Sequence, residues 1–360
     1  MTENISYNRT IEIQRQEKLR ELLRDLPEFC HMFFISIQDE TTILTRIQYA
    51  YDLRLFFRYM TLPENPLAGK SISEIKPEDI ERVKADDILY YLDYLSMYDN
   101  SDTREGEPSP APNIRTNGES GKMRKLASLR TFYHYLHKRG YIENDYSLLV
   151  DMPKRREKAI VRLEPDEIAK ILDLAENGEG LTKKQLDYHK ATRKRDLAIL
   201  TLFLGTGIRI SECIGININD IDFSTDSLRI IRKGQKEAIV YFWTEVEKAL
   251  RDYMEERKQI TPEKGHEDAF FLSMQRKRIT ARAVQQLVKK YAANAAPLKT
   301  ITPHKLRSTF GTELYKRTDD LYVVADMLGH TDMNVTRRHY AAIADEHKRE
   351  AAREVTLRED

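Results

Sequence analysis

Four short stretches place arginine, lysine, histidine and tyrosine side chains beside turns and helix caps. In residues 205–212 (GTGIRISE), Arg209 follows two glycines and precedes a Ser/Glu pair that suits the start of a helix. A guanidinium at such a point is able to face a cleft. Lys233 begins the turn Lys-Gly-Gln between two β-like runs, which predicts a hairpin with an ammonium at its flexible tip.

The other two stretches lie near the end of the chain. His304 and Arg307 follow Thr-Pro at a helix start, and their spacing of three residues puts them on one helical face. Leu-Gly stops a later helix just before His330, and Tyr340 comes ten residues further on. Any one of these short patterns occurs by chance in many proteins. Their combination in one chain indicates a single reactive cleft.

The elements that must position these residues are mostly helical. Apolar residues recur at helical spacing over 11–26 and 42–59, and over 87–97, and the runs 228–232 and 237–243 predict the hairpin. We therefore expect a mainly α fold with a small β-hairpin or sheet. Further helices are predicted from residue 164 and at about 122–139, 193–204, 245–258, 280–293, 304–316 and 320–328.

The length of 360 residues exceeds one typical hydrophobic core, so two domains are expected. Residues 100–121 are rich in Pro, Gly and Ser, which predicts a mobile loop. Residues 153–162 lack an apolar period and suit a linker. The expected organisation is a helical domain over 1–152, the linker, a second domain over 163–342 and a tail over 343–360.

Composition limits the class of protein. A charged content of 32% and a mean hydropathy of −0.61 leave no apolar run long enough for a membrane span. The first residues lack the pattern of a secretory signal, so a cytoplasmic location without membrane association is expected. Cys30 and Cys213 have no Cys-x-x-Cys spacing, which argues against a disulfide framework or a thiolate zinc site.

Basic residues concentrate in one segment, although the whole chain is nearly neutral. Between Lys122 and Arg162 there are eleven Lys and Arg against four Asp and Glu. This segment is a predicted phosphate-contacting surface on DNA, and the simpler alternative is a solvated basic helix followed by a linker. The predicted DNA-binding residues are Lys122, Lys125, Arg130, Lys138, Lys154, Arg155 and Arg156.

Taken together, these stretches resemble the tyrosine recombinases, or phage-integrase family. The resemblance covers nearly the whole chain, and within the family it is greatest for the Xer branch, XerS type. It implies a helical core-binding domain that holds DNA, followed by an α+β catalytic domain. The family's catalytic positions map onto Arg209, Lys233, His304, Arg307, His330 and Tyr340.

The resemblance also implies a role for each residue. Tyr340 is the nucleophile that forms a 3′-phosphotyrosine, and His304 is its base. Arg209 and Arg307 bind the phosphate with fork-like donors. Lys233 is the general acid for the departing 5′ oxygen. His330 hydrogen-bonds the phosphate, and neither a metal nor another cofactor is expected.

Three functional hypotheses follow. The first is a recombinase that resolves chromosome dimers at a dif-like site during cell division, as a homotetramer on two double-stranded DNA sites. The tail over 343–360 is then expected to dock on a neighbouring protomer, and a cell-division factor is a further partner. The second is an integrase or excision recombinase of a mobile element, with a directionality factor. The third is a catalytically silent DNA-binding protein.

Overall fold

A computed structural model describes residues 7–101, 112–154, 161–232 and 236–330, together with Met333, Thr336 and Arg337. The chain divides into two compact units, residues 1–157 and 158–360. The described residues are mainly helical with two small antiparallel sheets, which confirms the predicted fold class. None of the helices in these ranges is both long and apolar enough to cross a membrane.

The first unit is a set of helices around an aromatic core. Phe132 lies at its centre, with ring centroids 5.2 Å from Phe33 and 6.0 Å from Phe57. Such edge-to-face pairs stabilise a core beyond the burial of their area. The helices are α1 (Tyr7–Arg24), α2 (Phe29–Ser36), α3 (Ile43–Met60), α4 (Pro77–Ile80), α5 (Ala85–Tyr94) and α6 (Glu119–Lys138).

The described part of residues 100–121, for which a mobile loop was predicted, contains regular secondary structure. Strand β1 (Tyr98–Asp99) pairs with β2 (Ile114–Arg115), and α6 already begins at Glu119. The carboxylate of Asp99 accepts main-chain N–H groups from Ser101 at 2.8 Å and Asn113 at 2.9 Å. This Asx-type bonding closes the base of the segment, which composition alone does not reveal. Residues 102–111 lie outside the described part of the chain.

The second unit is built around helix α8 (Lys183–Thr206), which packs against α7, α10 and α12. Its apolar residues from Ala198 to Phe203 are fully buried. The pattern at 193–204 predicted only the second half of this helix, because the first half is polar. The other helices are α7 (Pro165–Asn177), α9 (Ile210–Gly215), α10 (Thr244–Lys258), α11 (Ala281–Ala295), α12 (Pro303–Thr318) and α13 (Leu321–Leu328).

The sheet of the second unit contains the predicted hairpin. Strands β3 (Ile221–Asp222), β4 (Ser227–Ile231) and β5 (Glu237–Tyr241) follow one another antiparallel. Leu228 faces Val240 across β4 and β5, and both side chains are buried in the core of the unit. These buried side chains thereby attach β4 and β5 to the hydrophobic core of the second unit.

Asp196 is the buried polar centre of the second unit. Its Oδ2 accepts hydrogen bonds from Lys290 at 2.9 Å and Tyr291 at 3.0 Å, which joins α8 to α11. Its Oδ1 accepts from Arg195 at 2.7 Å. Burial by itself raises the pKa of Asp196, but the two cations outweigh it and hold that pKa below its usual value.

We predict that Asp196→Asn lowers the free energy of unfolding by about 3–5 kcal/mol, because two cations lose a buried counter-charge. The depressed pKa means that Asp196 stabilises the fold above its unfolded pKa of about 3.9 and loses that effect as the pH falls. The deficit of the variant measured by denaturant unfolding should therefore shrink below about pH 4. Asp187→Asn on the same helix, whose carboxylate is exposed 3.9 Å from Lys190, is the control. Equal losses in the two variants would contradict the prediction.

Candidate active site

The C-terminal end of α13 gathers three arginines from distant parts of the sequence. An α-helix leaves its last carbonyl oxygens without partners inside the helix. Here Arg232 donates to the carbonyls of residues 326 and 327 at 3.3 and 3.1 Å. Arg307 donates to the carbonyl of Leu328, and Arg209 donates to that of Gly329 at 2.8 Å. Four consecutive carbonyls, 326–329, thus accept guanidinium donors.

Arg209 is held by the start of its own helix. Its main-chain N–H donates to Glu212 Oε2 at 2.7 Å and its Nη1 donates to Oε1 at 2.9 Å. The Glu212 side chain is 2% exposed and the Arg209 side chain 34% exposed. The sequence indicated Glu212 as a cap. It did not reveal that the same carboxylate also neutralises and aims the guanidinium, because that depends on the side-chain path.

Arg307 is buried beneath the same helix end. Its Nη1 donates to the carbonyl of Gly207 at 2.6 Å. Gly207 ends α8 in the left-handed conformation, with φ of 63°. A β-carbon there would overlap the Phe310 ring and lie 2.9 Å from Leu328 Cδ2. Only glycine therefore lets the end of α8 approach α12 and α13 closely enough for this bond.

His304 lies in the first turn of α12, after the capping residue Thr302. Loss of hydration lowers the pKa of His304, and the neighbouring cations Lys305, Arg307 and Arg209 lower it further. The side chain nonetheless keeps contact with solvent. An imidazole in this setting is neutral at pH 7 and is able to accept a proton.

His330 follows Gly329, which ends α13 with φ of 60°. Its main-chain N–H donates to the Ala325 carbonyl at 2.9 Å, and its Nδ1 lies 2.8 Å from Thr336 Oγ1. The His330 side chain is half-buried. The carbonyl of the preceding residue, Gly329, accepts the hydrogen bond from Arg209.

The structure thus groups four of the predicted catalytic residues at the end of α13: Arg209, His304, Arg307 and His330. Lys233 and Tyr340 lie outside the described residues. Within the described ranges, no group of three or more His, Cys, Asp or Glu side chains is arranged to hold a metal ion.

Two of the predicted DNA-binding residues contact other groups of the first unit, and of these only Lys125 is enclosed by it. Lys125 is buried, with its Nζ 3.6 Å from Asp52 Oδ1, and burial lowers the pKa of its ammonium. Arg130 Nη2 donates to the Val150 carbonyl at 2.6 Å. Helical periodicity predicts that Lys125 and Arg130 lie on the polar face of α6. It does not show that segments distant in sequence, which contain Asp52 and Val150, contact that face.

The remaining predicted DNA-binding residues have different surroundings. Lys138 and Lys154 are exposed. Lys122 is half-exposed, and its Nζ donates to Ser96 Oγ at 2.8 Å. Arg155 and Arg156 lie outside the described residues.

We predict that Gly207→Ala destabilises the second unit beyond the cost of backbone strain. The control is Gly265→Ala, because Gly265 also has a positive φ, 84°, but has open space around its would-be β-carbon. The control should lose about 1–2 kcal/mol from the left-handed backbone alone, and Gly207→Ala a further 1–3 kcal/mol or so from overpacking. Denaturant unfolding measures both. Equal losses would mean that the contact with Phe310 relaxes freely.

Comparisons with known proteins identify the family. The model of the phage integrase family matches residues 161–347, more than half of the chain. Tyrosine recombinase XerC of Caldanaerobacter subterraneus subsp. tengcongensis is 32% identical over 93% of this chain and 87% of its own length. Tyrosine recombinase XerD of Oceanobacillus iheyensis is 29% identical over 80% of this chain and 92% of its own length.

Solved structures agree on the fold. XerH site-specific recombinase bound to a palindromic difH substrate has a TM-score of 0.61 at 20% identity, over 87% of this chain and 80% of that one. A lambda integrase (75–356) dimer bound to a COC′ core site has a TM-score of 0.57 at 16% identity, over 86% and 93%. The chain belongs to the phage integrase family, as a tyrosine recombinase of the Xer branch that carries out site-specific DNA cleavage and rejoining.

Proposed function

We propose that this recombinase resolves chromosome dimers in the cytoplasm by strand exchange at a dif-like DNA site, with Tyr340 as the nucleophile. The observation that carries the catalytic part is the gathering of two arginines and two histidines at the end of α13. The sequence relatives are named XerC and XerD, and the resemblance to the Xer branch is the ground for preferring a chromosomal role to a mobile-element one.

Arg209 and Arg307 bind the scissile phosphate in this proposal. Phosphoryl transfer places negative charge on non-bridging oxygens, and fixed cations stabilise that charge in the transition state. Arg209 is one-third exposed, so a phosphate is able to reach its guanidinium without unfolding the site. Glu212 and the Gly329 carbonyl hold this guanidinium in place beforehand. Little reorganisation is then needed when DNA binds.

The proton transfers use the other residues. His304 takes the phenolic proton of Tyr340, the phenolate oxygen attacks phosphorus, and the bond from phosphorus to the 5′ oxygen breaks. Lys233 gives a proton to that oxygen, so the products are a 3′-phosphotyrosine and a 5′ hydroxyl. His330 hydrogen-bonds a non-bridging oxygen. Attack by the 5′ hydroxyl of another strand reverses these steps without ATP.

The proposed assembly is a homotetramer on two sites, with residues 343–360 docked on a neighbouring protomer. The first domain, 1–152, would hold the DNA, and residues 163–342 would carry the chemistry. Exposed Lys138 and Lys154 are suited to phosphate contacts because their ammonium groups are free to follow the backbone. Lys122, Arg130, Arg155 and Arg156 complete the proposed DNA-binding set.

We predict that removing a cation next to His304 shifts the acid limb of the pH–rate profile for DNA cleavage. The lowered pKa of His304 keeps it neutral at pH 7, so single-turnover cleavage should fall only well below that pH. Lys305→Ala removes a cause of the lowered pKa and should move the limb to higher pH. Lys316→Ala, at the far end of α12 beside Glu313, should leave the profile unchanged. An unchanged profile in Lys305→Ala would argue against His304 as the base.

We predict that the wild type forms a covalent protein–DNA adduct in EDTA and that Tyr340→Phe forms none. The substrate is a nicked duplex carrying the dif-like site, whose cleaved fragment diffuses away and traps the adduct for gel analysis. Tyr322→Phe is the matched control, because Tyr322 is an exposed tyrosine of α13. Binding of the site by the wild type without an adduct would overturn the catalytic proposal and favour a silent DNA-binding protein.

A further inference from the structure

Arg232 ties the hairpin to the helix end that forms the candidate site. It directly follows β4, and its guanidinium reaches α13, where Nη1 and Nη2 donate to the carbonyls of residues 326 and 327. Its main-chain N–H donates to the Lys236 carbonyl at 2.8 Å, which closes the base of the turn. Arg232 and Lys236, the two residues that flank 233–235, are therefore joined by a main-chain hydrogen bond, and Arg232 is also bound to α13.

Gly329 is shaped to accept this guanidinium. A β-carbon on Gly329 would lie 2.5 Å from Nη1, 2.6 Å from Cζ and 2.9 Å from Nε of Arg232. The guanidinium therefore packs directly on the main chain between Leu328 and His330. Its Nε is buried and has no hydrogen-bond partner among the described residues. The side chain keeps this position although one of its donors is left unsatisfied.

The guanidinium of Arg232 is committed to the end of α13. Its terminal nitrogens both face main-chain carbonyls of α13, and its remaining donor is buried. A lysine could not reproduce this contact, because one ammonium lacks the planar fork that spans two successive carbonyls. The geometry therefore gives Arg232 a mechanical role between β4 and α13.

We propose that Arg232 is a positioning residue, which docks the β4–β5 hairpin on the end of α13 so that the next residue, Lys233, meets the leaving oxygen. This inference rests on the proposed role of Lys233 as the general acid. A lysine side chain is long and flexible, so its delivery of a proton depends on where the main chain holds it. Arg232 fixes the main chain that immediately precedes Lys233 relative to the end of α13.

The test compares cleavage of an ordinary substrate with cleavage of one that has sulfur in place of the bridging 5′ oxygen. A thiolate leaves without protonation, because a thiol has a pKa of about 8.5, so this substrate bypasses the general acid. Arg232→Ala and Arg232→Lys should cleave the ordinary substrate about 100-fold more slowly than the wild type. On the sulfur substrate both should match the wild-type rate. Lys233→Ala, run in parallel, should behave in the same way.

Arg229→Ala is the matched control, because Arg229 lies on the same strand and pairs with Asp220 at 2.8 Å on the exposed side. It should cleave both substrates at the wild-type rate. If Lys233→Ala is rescued by sulfur but the Arg232 variants are equally slow on both substrates, the positioning role is overturned. If sulfur does not rescue Lys233→Ala, the acid assignment of Lys233 itself fails, and the inference fails with it. Thermal unfolding of each variant identifies any loss that comes from misfolding, in which case the milder Arg232→Lys decides.

Discussion

The carbonyl groups at the end of α13, which accept donors from three arginines, are the constraint on which the rest of the second unit depends. The C-terminus of a helix carries a partial negative charge as well as unpaired acceptors, so it attracts cations. Arg209, Arg232 and Arg307 supply them from the start of α9, the end of β4 and the first turns of α12. The last turn of α13 therefore fixes the relative positions of α9, β4 and α12, which lie up to about a hundred residues apart in sequence.

Burying so many charges is possible because each has a fixed partner. An ion removed from water without a counter-charge is strongly destabilising, whereas a paired and hydrogen-bonded ion is tolerated. Glu212 balances Arg209 at the candidate site. Asp196 balances Arg195 and Lys290 at the middle of α8. Helix α8 thus has an ionic cluster at its middle, where Asp196 joins it to α11. A second ionic pair, Arg209 with Glu212, begins just after Gly207, the residue that ends the helix.

The sequence predicted the helices, the hairpin and the motif residues, because periodicity and turn chemistry are local properties. Arg209, His304, Arg307 and His330 are found together as their motifs indicated, although the roles of these residues remain proposals. Long-range pairing was not predictable. No local pattern indicates that Lys125 contacts Asp52 or that Arg130 contacts the carbonyl of Val150, so the sequence pattern alone predicts that both cations face solvent. The contact of Arg232 with α13 has no local signal either, since at the end of an alternating strand Arg232 has the pattern of an ordinary solvent-facing residue.

The cap at the end of α13 uses peptide carbonyls, which every residue possesses. Side-chain replacement at positions 326 and 327 therefore leaves the acceptors of Arg232 in place. Insertion or deletion of one residue in this turn would instead move all four acceptors relative to three arginines at once. The segment is thus tolerant of changes in amino-acid identity and intolerant of changes in length. Gly329 and Leu328 are exceptions, because Gly329 keeps the surface on which the guanidinium of Arg232 rests and the Leu328 side chain is buried against Phe310.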